Sequence, residues 1–239
     1  MKRGFIITSL VVLSFTSFAQ YSTRVVAKWA PVGLYFGKIG LGTEVNFKKK
    51  QSINFNIGIP FPATRSVEYD NKKSDIESKA FSLMAGYRFY IGKKAGAGFY
   101  AEPYIKYLRH EANGILEGDL DSKIARMDTR TEFKAFGAGL QFGYQFIIAK
   151  RICFDLFLLG PEANNADFKS KSTDIANSLP WTLIQTTEAE REIKDAIKDI
   201  PILKDKLQIS TDQASKSVST SYSGFLPGFR IGASIGIVF

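Results

Sequence analysis

The chain carries few groups suited to catalysis. It has one histidine, His110, and one cysteine, Cys153, which rules out a disulfide scaffold and a Cys/His zinc site. Six charged residues share a particular setting. Glu44, Arg88, Glu102, Lys106, Asp155 and Arg230 each lie in a run where large apolar residues alternate with small polar ones, and each falls on the small polar side. Three acids and three bases cancel formally. Isolated charges facing a narrow interior are costly, whereas a paired network satisfies them. The chemistry expected of these six is mutual neutralisation that plugs a lumen, with no metal or cofactor. The competing use is a gated ion path through the same network.

His110 is expected just past the outer end of a strand, in Leu108-Arg109-His110-Glu111-Ala112-Asn113-Gly114. His110 and Asn113 resemble part of the His-x-Ser-Asn motif of outer-membrane lipid A 3-O-deacylases. That resemblance implies a serine nucleophile and a histidine base. Ala112 stands where the serine would be, and without a nucleophile the mechanism is lost. His110 is therefore read as a surface histidine, and the chain as a non-enzyme. Cys153 is read as a small residue packed on an inward face.

These residues are positioned by strands with period-two alternation. At the C-terminus, Phe225, Pro227, Phe229, Ile231, Ala233, Ile235, Ile237 and Phe239 oppose Leu226, Gly228, Arg230, Gly232, Ser234, Gly236 and Val238. The same pattern recurs at 39–47, 53–59, 81–91, 99–107, 136–146 and 152–158, giving seven strands. A soluble sandwich would put Lys and Glu on its polar face. Here that face is mostly Gly, Ser, Asn and Gln, which suits a tight lumen, while the large apolar residues suit lipid.

The connections alternate between short and long. Short basic ones occur at Lys48-Lys49-Lys50, at Gly92 to Gly98 with Lys93 and Lys94, and at Ala149-Lys150-Arg151; long polar ones occupy about 61–79, 109–131 and 161–222. Short periplasmic turns and long external loops are the habit of outer-membrane barrels. Parity then requires one more outward strand within 22–35, a poorer pattern interrupted by Pro31. The basic turns account for the formal charge of +9 once Lys2 and Arg3 are set aside, so the charge faces head groups and does not indicate nucleic-acid binding. Residues 1–19 read as a signal peptide: Lys2 and Arg3, an apolar stretch from Phe5 to Phe15, then Ser17-Phe18-Ala19. The barrel is expected over 20–239.

Residues 161–222 are too long for a plain loop. A capping box of Thr187 and Glu190 predicts a helix over about 188–200, with Ala189, Ile193, Ala196, Ile197 and Ile200 at helical spacing and Pro201 as its stop. The stripe is expected to pack on loop residues; the other use is a lid or a partner-binding face. Leu207-Gln208-Ile209 and Val218 to Tyr222 read as a hairpin beyond the membrane.

Over residues 22–239 the chain resembles the small OmpA/OmpX-type barrels of Gram-negative bacteria. The resemblance rests on these strands and on Phe239, which looks like the C-terminal signal read by the barrel-assembly machinery. It implies an all-β fold: an eight-stranded antiparallel transmembrane β-barrel with a helix-containing extracellular loop before the last strand. It implies a place in the cell outer membrane, with outer-membrane lipids and the assembly machinery as partners. The chain is expected to depart from OmpA-type proteins in stopping at the barrel, without a peptidoglycan-binding domain. The function expected is a closed barrel with a structural role, or an interaction role in which loops meet an extracellular or envelope protein. The alternatives are an outer-membrane lipid A-modifying enzyme and a narrow pore.

Overall fold

The computed structural model describes residues 23–69, 72–92, 96–121, 123–198, 203 and 206–239. The expected leader, Lys93 and Lys94, and Ile200 with Pro201 lie outside these residues. In chain order the elements are β1 (Arg24–Ala30), α1 (Val32–Tyr35), β2 (Lys38–Lys48), β3 (Gln51–Pro60), β4 (Ala63–Tyr69), β5 (Lys72–Ile91) and β6 (Gly98–Leu120). They continue with β7 (Lys123–Ile148), β8 (Ile152–Leu159), β9 (Pro161–Asp174), α2 (Leu183–Ile197), β10 (Gln208–Asp212), β11 (Ser217–Phe229) and β12 (Gly232–Val238).

All twelve strands belong to one antiparallel sheet. From β7 the pairing runs through β6, β5, β3, β2, β1, β12 and β8, and β8 pairs again with β7. The succession of ladders therefore returns to its starting strand. Phe239 extends the β1–β12 seam, donating its N–H to Val25 O at 2.8 Å. The remaining strands extend the sheet on one side: β9 on the first half of β7, β11 on β9, β10 on β11, and β4 on β5.

Alternation along the strands sets two unlike faces. Phe55, Ile57, Leu83, Ile105, Phe136, Phe142, Phe154 and Ile235 are exposed. Arg88, Glu44, Glu102, Asp155, Gln141 and Gln145 are among the largest fully buried side chains. The apolar face points out and the polar face points in, the reverse of a water-soluble sandwich. Glycine makes room inside: a Cβ at Gly143 or Gly139 would run into the ring of Tyr100 or Tyr104.

Several expected loops are strands instead. Residues 61–79 hold β4 and the outer part of β5, paired from Ala63↔Ser78 to Tyr69↔Lys72. Residues 109–131 are the outer parts of β6 and β7, paired without a break from Leu120↔Lys123 down to Gly98↔Gln145. The cause is that ladder bonds are made by the backbone, so a strand outside the apolar band needs no hydrophobic alternation. Within 161–222 lie β9, α2, β10 and much of β11. The expected strand at 22–35 is β1 followed by a helical turn, which begins beside Pro31, where a proline supplies a pre-set φ. The last strand is interrupted at Arg230, whose N–H bonds to Gly160 O at 2.8 Å, opposite the break between β8 and β9. The hairpin expected in this region forms, with Gln208↔Ser221 and Thr211↔Val218 in register.

The helix begins earlier than its expected Thr187 cap. Thr182 caps it: its side chain accepts from Gln185 N–H at 3.2 Å, while Gln185 Oε1 accepts from Thr182 N–H at 2.9 Å. Either Thr/acid-or-amide pair fits the rule, and the tertiary contact decides. Trp181 and Ala189 pack with Leu120 and Ala125 at the β6–β7 tip, and Met127 joins them. Glu188 Oε2 also accepts the Asp121 N–H at 2.6 Å. Asp174 ties this small core to β9, accepting from Trp181 Nε1 at 3.1 Å, Asn177 Nδ2 at 2.6 Å and Ala176 N–H at 2.9 Å. Burial pushes its pKa up, but these bonds outweigh burial and hold it below the usual aspartate value.

A depressed carboxylate contributes stability that is present above its unfolded pKa of about 3.9 and lost as pH falls through the folded value. In a Trp29→Phe background, Trp181 emission should therefore shift red only below about pH 4. Asp174→Ala should show the red-shifted emission at neutral pH and loosen the external core by about 1.5–3 kcal/mol. An unshifted spectrum in that variant would show that Asp174 does not hold Trp181.

Candidate functional site

The inward face of the sheet gathers its charges in two tiers. The deeper tier surrounds Arg88 on β5. Its Nε donates to Glu102 on β6 at 2.5 Å; its Nη1 lies 3.2 Å from Glu44 on β2 and 2.8 Å from Asp155 on β8. Lys28 on β1 donates to Glu44 at 2.5 Å, to Asp155 at 2.8 Å and to Gln145 Oε1 at 2.7 Å. Neutral donors complete each acid. Ser52 and Tyr90 donate to Glu44, Tyr100 to Asp155, and Asn54 and Gln141 to Glu102, at 2.5–2.9 Å. The Arg88 guanidinium also lies 4.0 Å from the Tyr100 ring centroid. All of these charged groups are buried. Two cations and three carboxylates leave one formal negative charge, shared among many donors.

Four of the six residues expected to form a lumen network meet here: Glu44, Arg88, Glu102 and Asp155. Lys106 and Arg230 do not join them. They belong to an outer tier, where Lys106 pairs with Glu162 on β9 and Glu162 accepts from Tyr104 OH at 2.8 Å. Arg230 makes no ion pair among the described residues. Its guanidinium stands 4.6 Å from the Phe157 ring centroid and 5.5 Å from that of Tyr104. Alternation alone missed Lys28 and Glu162. Lys28 lies on a strand whose faces were not assigned. Glu162 follows a register shift between Phe142 and Gly143, where β7 meets β8. The inward positions before it are odd, Cys153, Asp155 and Phe157, and those after it even, Glu162 and Asn164. Two adjacent exposed leucines, Leu158 and Leu159, were the available sign of that bulge.

Cys153 is fully buried, as its inward position implies. His110 is not past the end of a strand: it lies within β6, paired with Ala80 and Phe133. It is half-buried on the inward side. Burial, then the positive charges of Arg65 and Lys38, hold its pKa below the ordinary histidine value. Ala112, two residues on, supplies no hydroxyl at the position where the motif has its serine. Among the described residues, no group of His, Cys, Asp and Glu could hold a metal ion.

An antiparallel sheet with an apolar exposed face and a buried face of paired charges defines an all-β protein turned inside out. The chain belongs to the family described as Protein of unknown function (DUF3575), whose model matches residues 6–160. Among solved structures, the crystal structure of Acinetobacter baumannii CarO is similar, with 9% identity, 90% of this chain and 96% of that chain covered, and a TM-score of 0.40. Comparison with curated proteins gives no match.

Among the described residues Glu44 and Asp155 each touch two cations, but Glu102 has Arg88 as its one cation, beside the neutral donors Asn54 and Gln141. Arg88→Ala should therefore strand Glu102 and cost about 3–5 kcal/mol in urea unfolding. Adding Glu102→Gln should recover part of that loss. A single variant as stable as the parent would show that water replaces the guanidinium. For His110, NMR should find a titration midpoint below about 6.5, raised by Arg65→Gln. No movement in that variant would remove Arg65 as a cause.

Proposed function

We propose that this protein is an outer-membrane β-barrel in which the eight strands of the returning ladder span the lipid. Its interior is closed by charge pairing, and its role is structural or one of loop-mediated interaction. The observation that carries the reading is the reversal of faces. A continuous apolar exterior, including Phe55, Phe136, Phe142 and Ile235, is stable against acyl chains and costly against water. Where the ring is closed, its ladders satisfy the backbone internally, as the hydrocarbon requires. The buried side chains around Arg88 fill the narrow interior, which supports a plug. Phe239, exposed at the end of the β1–β12 seam, suits engagement by the assembly machinery. Leu179, Leu183 and Ile184 are exposed around the start of α2 and offer apolar contact to an extracellular or envelope protein. In this reading the chain is not an enzyme, because His110 lacks the serine that a deacylase would need.

Cell fractionation and refolding into vesicles test the proposal together. The protein should appear in the outer membrane and refold with heat-modifiable migration. Ile235→Arg should destabilise it by about 2–4 kcal/mol, as for a charge near the bilayer midplane. Ser234→Thr, on the inward face, should cost far less. In planar bilayers the unmodified protein should conduct little. Equal defects in the two variants would refute the face assignment, and a large steady conductance would refute the plug.

A further inference from the structure

The ring of ladders is incomplete along one stretch of wall. β1 pairs with β12 only from Trp29↔Ile235 to Val26↔Val238. Farther out, β11 is paired with β9 along its length, but with β10 only from Ser217 to Ser221. Among the described residues, the opposite edge of the chain from Tyr222 to Ser234 therefore has no strand partner. Phe225, Phe229 and Ile231 on this stretch are exposed like the rest of the apolar exterior. Open backbone at hydrocarbon depth is tolerated where it borders a cavity that holds polar groups.

Such a cavity is present. It has a volume of about 460 Å³, and its lining includes Val32 and Phe36 of the α1 turn together with Phe229 and Ile231. Lys38, Lys106 and Arg230 line it together with a single acid, Glu162. Lys106 is neutralised by Glu162. Lys38 donates to Ser82 Oγ at 3.2 Å, and neither Lys38 nor Arg230 meets a carboxylate among the described residues. Arg65 stacks 3.5 Å above the Tyr35 ring and lies 5.9 Å from the ring of Phe36, which lines the cavity; its Nη2 is buried with no hydrogen-bond partner among the described residues. Cations placed at an apolar opening without counter-charges call for an anion that brings its own apolar chain.

We propose that this cavity binds the anionic head group of an acyl amphiphile that enters sideways between α1 and β12, with Lys38 and Arg230 holding the carboxylate or phosphate and the chain lying along Val32, Phe36, Phe229 and Ile231. The inference rests on the reading that the ring lies in a bilayer, so insertion is measured first, by heat-modifiable migration after refolding. A chain that never inserts overturns both readings; one that inserts but binds no amphiphile overturns this one alone.

The test is calorimetry on the full mature chain in neutral maltoside micelles. Dodecyl phosphate and dodecanoate should bind saturably, one per chain, and inorganic phosphate should not. Lys38→Gln with Arg230→Gln should weaken binding at least about tenfold, as expected for losing two charge-assisted contacts. Lys38→Arg should retain binding. The outward pair Lys79→Gln with Lys134→Gln removes the same charge and should leave binding unchanged. Equal loss in both pairs, binding of inorganic phosphate as tight as that of dodecyl phosphate, or equal affinity for uncharged dodecanol would overturn the proposal. Extraction of small molecules from protein purified out of membranes distinguishes the sources: a retained phosphate-bearing lipid marks the bilayer, and a retained fatty acid marks a diffusing carboxylate.

Discussion

Arg88 and Lys28 hold the interior together. Arg88 reaches carboxylates on β2, β6 and β8, and Lys28 reaches β2, β7 and β8 from β1. Two side chains thus join strands that lie on opposite sides of the ring, where the backbone ladders connect only neighbours. A narrow interior leaves little room to hydrate a charge, so each ionic group must be satisfied by protein. That requirement explains the tyrosines. Tyr90 and Tyr100 each bring a large ring to fill space and a hydroxyl to finish a carboxylate.

The outer tier follows a different rule. At the level of Arg88, acids outnumber bases and every one has several donors. At the level of Lys38, Lys106 and Arg230, bases outnumber acids and ring faces take the place of carboxylates. The change coincides with the break between β8 and β9 and the facing break at Arg230. There the wall passes from a closed ring to an open sheet, and the interior gains a cavity. The basic face of the mouth and the loss of a strand partner thus occur at the same height.

Much of this was legible in the sequence because alternation is a direct record of two solvents. Seven strand cores and the inward sides of Glu44, Arg88, Glu102 and Asp155 could be counted residue by residue. The count failed where the backbone departs from strict period two. The added residue near Leu158 and Leu159 reversed the parity and hid Glu162. Pro31 made β1 look irregular and hid Lys28. The outer strands failed for another reason. In β6 from Arg109 to Leu120, both faces meet polar surroundings, so the residue types carry little record of the pairing. The helix start turned on Trp181, whose contact with Leu120 and Ala125 joins residues about sixty apart in the chain and leaves no local mark.

The uninterrupted pairing of β6 with β7 also sets a length scale. A strand advances about 3.4 Å per residue, so the stretch from Arg109 to Leu120 carries its tip roughly 40 Å past the apolar exterior, less whatever the strand tilts. The β6–β7 ladder is continuous to Leu120↔Lys123, flanked by β5 as far as Gly114 and by β9 as far as Met127, and so it stands as a stiff mast rather than a tether. Anything approaching from outside meets α2 and the mast head well before it reaches the mouth. On the outer-membrane reading proposed above, a large molecule captured there would be kept at a distance from the bilayer, while a small amphiphile would pass beneath it.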